Sequence, residues 1–192
     1  MGTLVQAGAL LVASTAPGDL NEYYGFADTT STIVTQATFQ NLSTQYTIPA
    51  GEAVNAGAAY ELSCGGSGTW GSTQQALTFQ MNIGNGFGSG GVAASTALAA
   101  SAGFTWGAVL TAVTSDGVSG WWAVLKIWLQ ETANAVNPGT AADNAFPLVV
   151  ANTAVHSALT NASIAVSVQC KWASTTGSPT ITNNLTTFRK IS

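Results

Sequence analysis

The sequence predicts an all-β protein, an antiparallel β-sandwich, on three observations. Apolar and polar residues alternate along several stretches, the period-2 mark of half-buried strands. Clusters of Gly, Pro, Asn and Ser interrupt those stretches at short intervals. No stretch carries a sustained helical period. The clearest stripe is residues 163–172, where Ile164, Val166, Val168, Cys170 and Trp172 fall on one side of an extended chain and Ala165, Ser167, Gln169 and Lys171 on the other. It reads as a central strand that needs partners.

At 192 residues the chain is long enough for one domain with a filled core. Residues 1–31 read as an N-terminal arm or a first strand with its connection, and residues 32–192 as the sandwich. The first part holds the apolar run Ala9–Ala13, a turn signal at Ala16-Pro17-Gly18-Asp19, and Tyr23 and Tyr24. Strand composition follows over Ile33–Phe39 and Gln45–Ile48, closed by Pro49-Ala50-Gly51. Ala58, Tyr60, Leu62 and Cys64 form a second stripe, and Gly65-Gly66-Ser67-Gly68 reads as a turn or flexible loop after it. Leu77, Phe79, Met81 and Ile83 form a third, stopped by Gly84-Asn85-Gly86.

Residues 88–102 are nearly all Gly, Ala, Ser and Thr, which suggests a surface loop or a close subunit contact. Phe104–Val113 returns to strand composition before a turn at Ser115-Asp116-Gly117. Trp121–Leu129 fits helical and strand spacing alike, and its aromatic and β-branched content favours a strand. Pro138-Gly139 and Pro147 punctuate a long loop before Leu148–Ala151. Gly177-Ser178-Pro179 makes the last turn and Thr180–Phe188 the last strand. Roughly eight to ten strands with Gly and Pro turns, at this length, suit an eight-stranded jelly roll. The expected core comprises Leu62, Cys64, Leu77, Phe79, Met81, Ile164, Val166, Val168, Cys170 and Trp172.

Composition narrows the function classes. Hydrophobic residues make up 46%, which opposes disorder, while charged residues are only 6%, about a quarter of the usual share. The surface is therefore expected to be Thr, Ser, Asn, Gln and Gly. Four Lys and Arg against eight Asp and Glu give a net charge of −4, so nucleic acid is not an expected partner. Membrane association is not expected either: no apolar run approaches the roughly 18–20 residues of a spanning helix, and Trp121–Leu129 carries Lys126. No positive residue precedes Ala9–Ala13 to make a secretory signal, and Gln6 stands where myristoylation wants Ser or Thr.

Chemistry is sparse. His156 is the one histidine and has no acidic neighbour in sequence, so a nucleophile–histidine arrangement has little to build on. Asp19, Glu22, Asp28, Glu52, Glu61, Asp116, Glu131 and Asp143 are scattered singly and read as solubilising charges. A glycosidase pair would have to be assembled by folding. Calcium at Asp116 or Asp143 lacks a D-x-D-x-D-G loop, zinc lacks ligand spacing, and the glycines at 84, 86, 88, 90 and 91 lack the strand–helix context of a phosphate loop. Glycosylation patterns at Asn41, Asn161 and Asn184 are expected by chance in this composition. Cys64 and Cys170 end apolar stripes and read as buried thiols or, alternatively, one bridge. Trp70 beside the glycine loop, and Phe87, are candidate surface or ligand contacts, with burial in core or interface the alternative for Trp70. No catalytic residue, cofactor or metal is expected.

The stretches YTIPAGEAVNAGAAYELSCGGSGTW, LTFQMNIG, GFTWGAVLTAVT and SIAVSVQCKWAS, followed by a short strand before the C-terminus, resemble the small jelly-roll virion proteins of tailed bacteriophages of the tumour-necrosis-factor/C1q-like type. The resemblance, in spacing and composition over about residues 32–191, implies a homotrimer around a threefold axis with no catalytic residues. It implies a structural role in the virion, as a capsid-decoration, minor capsid or short head-fibre protein bound to the major capsid or another virion protein, with residues 1–31 as an attachment arm. The alternative is a tail-tip module binding a host-cell receptor or glycan. No coiled-coil or collagen-like stalk is present, so a whole long tail fibre is not implied.

Val166→Asp or Val168→Asp is expected to prevent folding, because an unpaired charge in a sandwich core costs several kcal/mol. Lys171→Ala is expected to be tolerated. Soluble yield and circular dichroism read both, and equal behaviour of the two kinds of variant would show that the faces are misassigned.

Overall fold

The structure, a computed structural model, describes residues 4–6, 9–11, 25–29, 32–49, 57–73, 75–84, 92–94, 103–114, 120–131, 148–155 and 163–191. These residues form fourteen strands and no α-helix. In chain order the strands are β1 (Leu4–Gln6), β2 (Ala9–Leu11), β3 (Gly25–Asp28), β4 (Thr32–Val34), β5 (Gln40–Asn41), β6 (Tyr46–Ile48) and β7 (Ala59–Thr69). They continue with β8 (Leu77–Ile83), β9 (Val92–Ala94), β10 (Gly103–Thr114), β11 (Gly120–Glu131), β12 (Leu148–Val155), β13 (Ile164–Trp172) and β14 (Thr180–Lys190).

All pairings are antiparallel. The larger sheet has seven strands, in the order β12-β11-β10-β7-β14-β3 with β4 also on β14. The smaller has five, in the order β5-β13-β8-β9 with β6 also on β13, and β1 and β2 form a separate hairpin. Short strands share one edge of each long one: β4 pairs Ile181–Asn183 and β3 pairs Thr186–Arg189, while β6 and β5 divide β13 in the same way. Between β4 and β5 the chain crosses from one sheet to the other. The strand expected over Ile33–Phe39 therefore ends at Val34, and the Gln36 carbonyl accepts the Trp172 backbone N–H at 2.9 Å on the way.

The sheets face each other across one apolar layer. All ten residues expected in the core are buried, none above 7% exposed. The alternation that places Val166, Val168, Cys170 and Trp172 inward on β13 meets Phe104, Trp106, Leu110, Leu125 and Phe188 from the opposite sheet. Trp121–Leu129 lies within strand β11, with Ala123, Leu125, Ile127 and Leu129 inward.

Two expectations are corrected here. Gly65-Gly66-Ser67-Gly68 is no turn: it continues β7, paired on one side with β10 and on the other with β14. Flanking turns exist, but the glycines are selected by close approach. A Cβ on Gly66 would land on the Thr182 carbonyl, and one on Gly68 would land on the Phe104 ring and the Thr180 carbonyl. Trp70 is likewise no surface contact. It is fully buried, its ring stacked on Phe104 at 4.6 Å between centroids and set edge-on to Trp172 at 5.2 Å. The Gly68 site leaves room for Phe104, and Phe104 in turn receives Trp70. Phe87, residues 88–91 and 95–102, Ser115-Asp116-Gly117, Pro138-Gly139 and Pro147 lie outside the described residues.

The larger sheet contains one irregularity, a bulge on β14. Asn183 pairs with Gly66 and Leu185 with Gly65, so Asn184 is extra. The Gly65 N–H donates to Asn183 Oδ1 at 3.3 Å, and Asn183 Nδ2 donates to Thr186 Oγ1 at 2.9 Å. Both side chains are fully buried and satisfied, as interior polar groups must be. The extra residue shifts the side-chain parity, which turns Leu185 outward while Phe188 stays inward.

Gly66→Ala is expected to destabilise the fold by about 2 kcal/mol or more, because the obstructing atoms are backbone and have nowhere to go. Ser67→Ala, on an exposed site, is expected to stay within about 0.5 kcal/mol. Denaturant melts of the two variants make the comparison.

Candidate functional site

Few reactive groups among the described residues are positioned for chemistry. Among them no group of three or more His, Cys, Asp and Glu comes together as a metal cluster would. Asp28 accepts a hydrogen bond from Thr44 Oγ1 at 2.7 Å, which ties the end of β3 to the β5–β6 connection. Glu61 accepts from Arg189 Nε at 3.0 Å and pairs with its Nη2 at 2.7 Å. Arg189 is largely exposed, so this pair contributes only about 0.2–1 kcal/mol. His156, Asp116 and Asp143 lie outside the described residues.

Cys64 and Cys170 are free, buried and on facing sheets. Burial pushes both thiols far above their ordinary range, and at Cys170 the neighbouring Cys64 adds to the effect. Each is therefore a neutral thiol at pH 7, and the thiolate that nucleophilic or metal chemistry requires is absent. Both act as small apolar residues of the core.

The outer faces of the two sheets differ in kind. On the smaller sheet the outward side chains hydrogen-bond one another. Asn82 Nδ2 donates to Ser167 Oγ at 3.2 Å, Ser167 Oγ and Gln169 Nε2 both donate to Asn41 Oδ1 at 3.0 and 2.9 Å, and Gln80 Nε2 donates to Gln169 Oε1 at 2.6 Å. This polar ladder joins β5, β13 and β8.

On the larger sheet the outward side chains are mixed: β7 presents Glu61, Ser63 and Ser67, while large apolar side chains stand out on β11 and at the bulge of β14. Trp122 and Trp128 stand on β11 at 62% and 47% exposure, with Lys126 between them, and Leu185 on β14 is 46% exposed. Val124 on β11 and Val109 and Val113 on β10 are half-buried beside them. The ladder registers align Trp128, Gly107, Gly65 and Leu185 across four adjacent strands. The two glycines have no side chain to fill the row, so a trough of about 280 Å³ opens between the Trp128 and Leu185 walls, with Ser63 and Thr187 on its lining. The Trp128 ring leans over Gly107, where a Cβ would collide with it. A more polar cleft of about 420 Å³ lies at Thr35, Gln36, Thr175, Ser178, Pro179 and Thr180 and has no titratable side chain among those residues.

The sequence reading missed this face. Its signal was present in the shared parity of Trp122, Lys126 and Trp128, but the trough needs the Gly65–Gly107 register and the bulge that exposes Leu185. No family model, curated protein or solved structure matches the chain.

Native protein treated with a small alkylating reagent at pH 7–8 is expected to show no labelled cysteine on the timescale that fully modifies the denatured chain. Mass spectrometry reads the label, and rapid modification of Cys64 or Cys170 in the native state would overturn their assignment as inert core thiols.

Proposed function

We propose that this chain is a non-enzymatic structural protein of a bacteriophage particle, a homotrimeric capsid-decoration, minor capsid or short head-fibre protein. The observation that carries the proposal is the set of large apolar side chains exposed on the outer face of the larger sheet. Exposed Trp122, Trp128 and Leu185 together make the kind of patch that protein contacts cover. Charge is scarce on it: Glu61 and Arg189 are paired with each other, and Lys126 rises between the two tryptophans. Depletion of charge with enrichment of aromatics is the composition of an interface centre.

The strand order supports the jelly-roll part of the proposal. β3 pairs with β14, β5 and β6 with β13, β7 with β10, and β8 with β9. The pairs run first with last and inward from there, as when one long antiparallel ribbon is wrapped into two sheets. The β10–β11–β12 extension widens the larger sheet on one side and brings the two tryptophans with it. A surface of Thr, Ser, Asn and Gln held by side-chain hydrogen bonds fits a protein that works in an assembly rather than by catalysis.

A second reading, a tail-tip module for a host receptor or glycan, draws on the same exposed indoles, since sugars stack on open aromatic rings. Trp70 no longer contributes to it. Purified protein is expected to sediment as a trimer at micromolar concentration and to bind particles lacking it, but not host cells. A monomer would overturn the oligomeric proposal, and binding to cells but not particles would favour the tail tip. Removal of residues 1–25 is expected to abolish particle binding while leaving a folded trimer.

A further inference from the structure

The apolar face carries a projection and a recess that one chain cannot bring together. Trp122 is the most exposed aromatic among the described residues, and the trough over Gly65 and Gly107 lies six residues farther along β11, about 20 Å away at strand rise. We propose that Trp122 of one copy enters the Gly65–Gly107 trough of the next, so that the contact runs head to tail round a closed ring. This inference rests on the trimer proposed above and specifies its contact.

Shape comes first. The trough's volume of about 280 Å³ is the space of about nine waters, enough for the nine ring atoms of an indole. Its walls, the Trp128 ring and the Leu185 side chain, are apolar, and its floor is backbone, so an entering ring replaces water without stranding a buried charge.

Area agrees. The four strands β14, β7, β10 and β11 at about 4.8 Å spacing and about ten residues at about 3.3 Å give a face on the order of 600 Å², the lower end of one partner's share of a standard interface. Electrostatics agree as well. With Glu61 and Arg189 neutralising each other, Lys126 remains as a charge on the face, and identical copies meet without a dense like-charge field.

Symmetry decides the form of the contact. A projection and a recess that engage different neighbours make a heterologous interface, which closes into a ring when the rotation permits. Engaged reciprocally, the same pair would make a twofold dimer instead.

Disulfide trapping separates these arrangements. Val113 pairs with Trp122 across the β10–β11 ladder, and Thr187 lines the trough. Within one chain the two positions are separated by two strands and four residues, about 16 Å, beyond the roughly 7 Å reach of a disulfide. The Val113→Cys/Thr187→Cys variant keeps Trp122 and is expected, under mild oxidation, to give covalent trimers on a non-reducing gel, while each single variant stays monomeric on the gel. Trp122→Ser is expected to raise the concentration at which the trimer dissociates by about tenfold or more, with unchanged circular dichroism. Cross-linking that stops at dimers overturns the ring. A trimer by sedimentation with no cross-link overturns this contact and leaves the trimer itself standing. A monomeric wild type overturns both.

Discussion

The close approach at the glycine half of β7 is the constraint on which the remaining architecture depends. Each glycine in a strand costs about 0.5–1 kcal/mol against alanine, and β7 carries Gly65, Gly66 and Gly68 in four positions. What offsets that cost is visible on both faces. Inside, Phe104 occupies the space a side chain at 68 would take, and Trp70 and Trp172 close around Phe104 in a three-ring cluster. Aromatic pairs of this kind add about 0.5–1.5 kcal/mol each beyond the area they bury. Trp172 also donates its indole N–H to the Val34 carbonyl, so the cluster joins β13, β10 and the end of β4.

Outside, the same glycines do the opposite work. Gly65 beside Gly107 leaves the sheet surface bare where the neighbouring rows carry Val109 with Ser63 and Thr105 with Ser67, and the bulge at Asn184 brings Leu185 out to border the gap. The bulge is held by Asn183, which offers its side-chain oxygen to the Gly65 N–H and its amide to Thr186. Large apolar side chains exposed on the outer face, as at Trp122, Trp128 and Leu185, are unusual for a lone antiparallel sandwich, whose outer face ordinarily meets water. The outer face of the smaller sheet instead carries a ladder of amides and hydroxyls, in which Ser167 and Gln80 are buried. The contrast locates the face on which the proposed assembly is built.

Catalysis and assembly make different demands, and assembly is the role proposed for this chain. Asp28 and Glu61 are tied into a hydroxyl contact and a surface ion pair, and the thiols are locked neutral in the core. With so few charges, solubility rests on neutral polar side chains.

Much of the fold was legible because period-2 alternation acts locally: a half-buried strand must put apolar side chains on one side whatever its partners are. The stripes at 58–64, 77–83 and 164–172 identified the core residues for that reason. Even the ambiguous Trp121–Leu129 resolved as a strand on its β-branched and aromatic content. Alternation failed where a residue's role depends on a distant neighbour. Gly65-Gly66-Ser67-Gly68 has the composition of a turn, and only the Thr182 and Thr180 carbonyls from β14 and the Phe104 ring from β10 explain why it is strand. Trp70, next to that presumed loop, could be read as core or as a surface contact, and its burial decides for the core. The sequence by itself determined the all-β class, the inward stripes and the poverty of charge, since these follow from local sterics and composition. Only the tertiary structure decided which strands meet, that Trp70 is interior, and that Trp122, Trp128 and Leu185 share a face with a glycine trough, because register and a one-residue bulge are set by pairing between segments far apart in the chain.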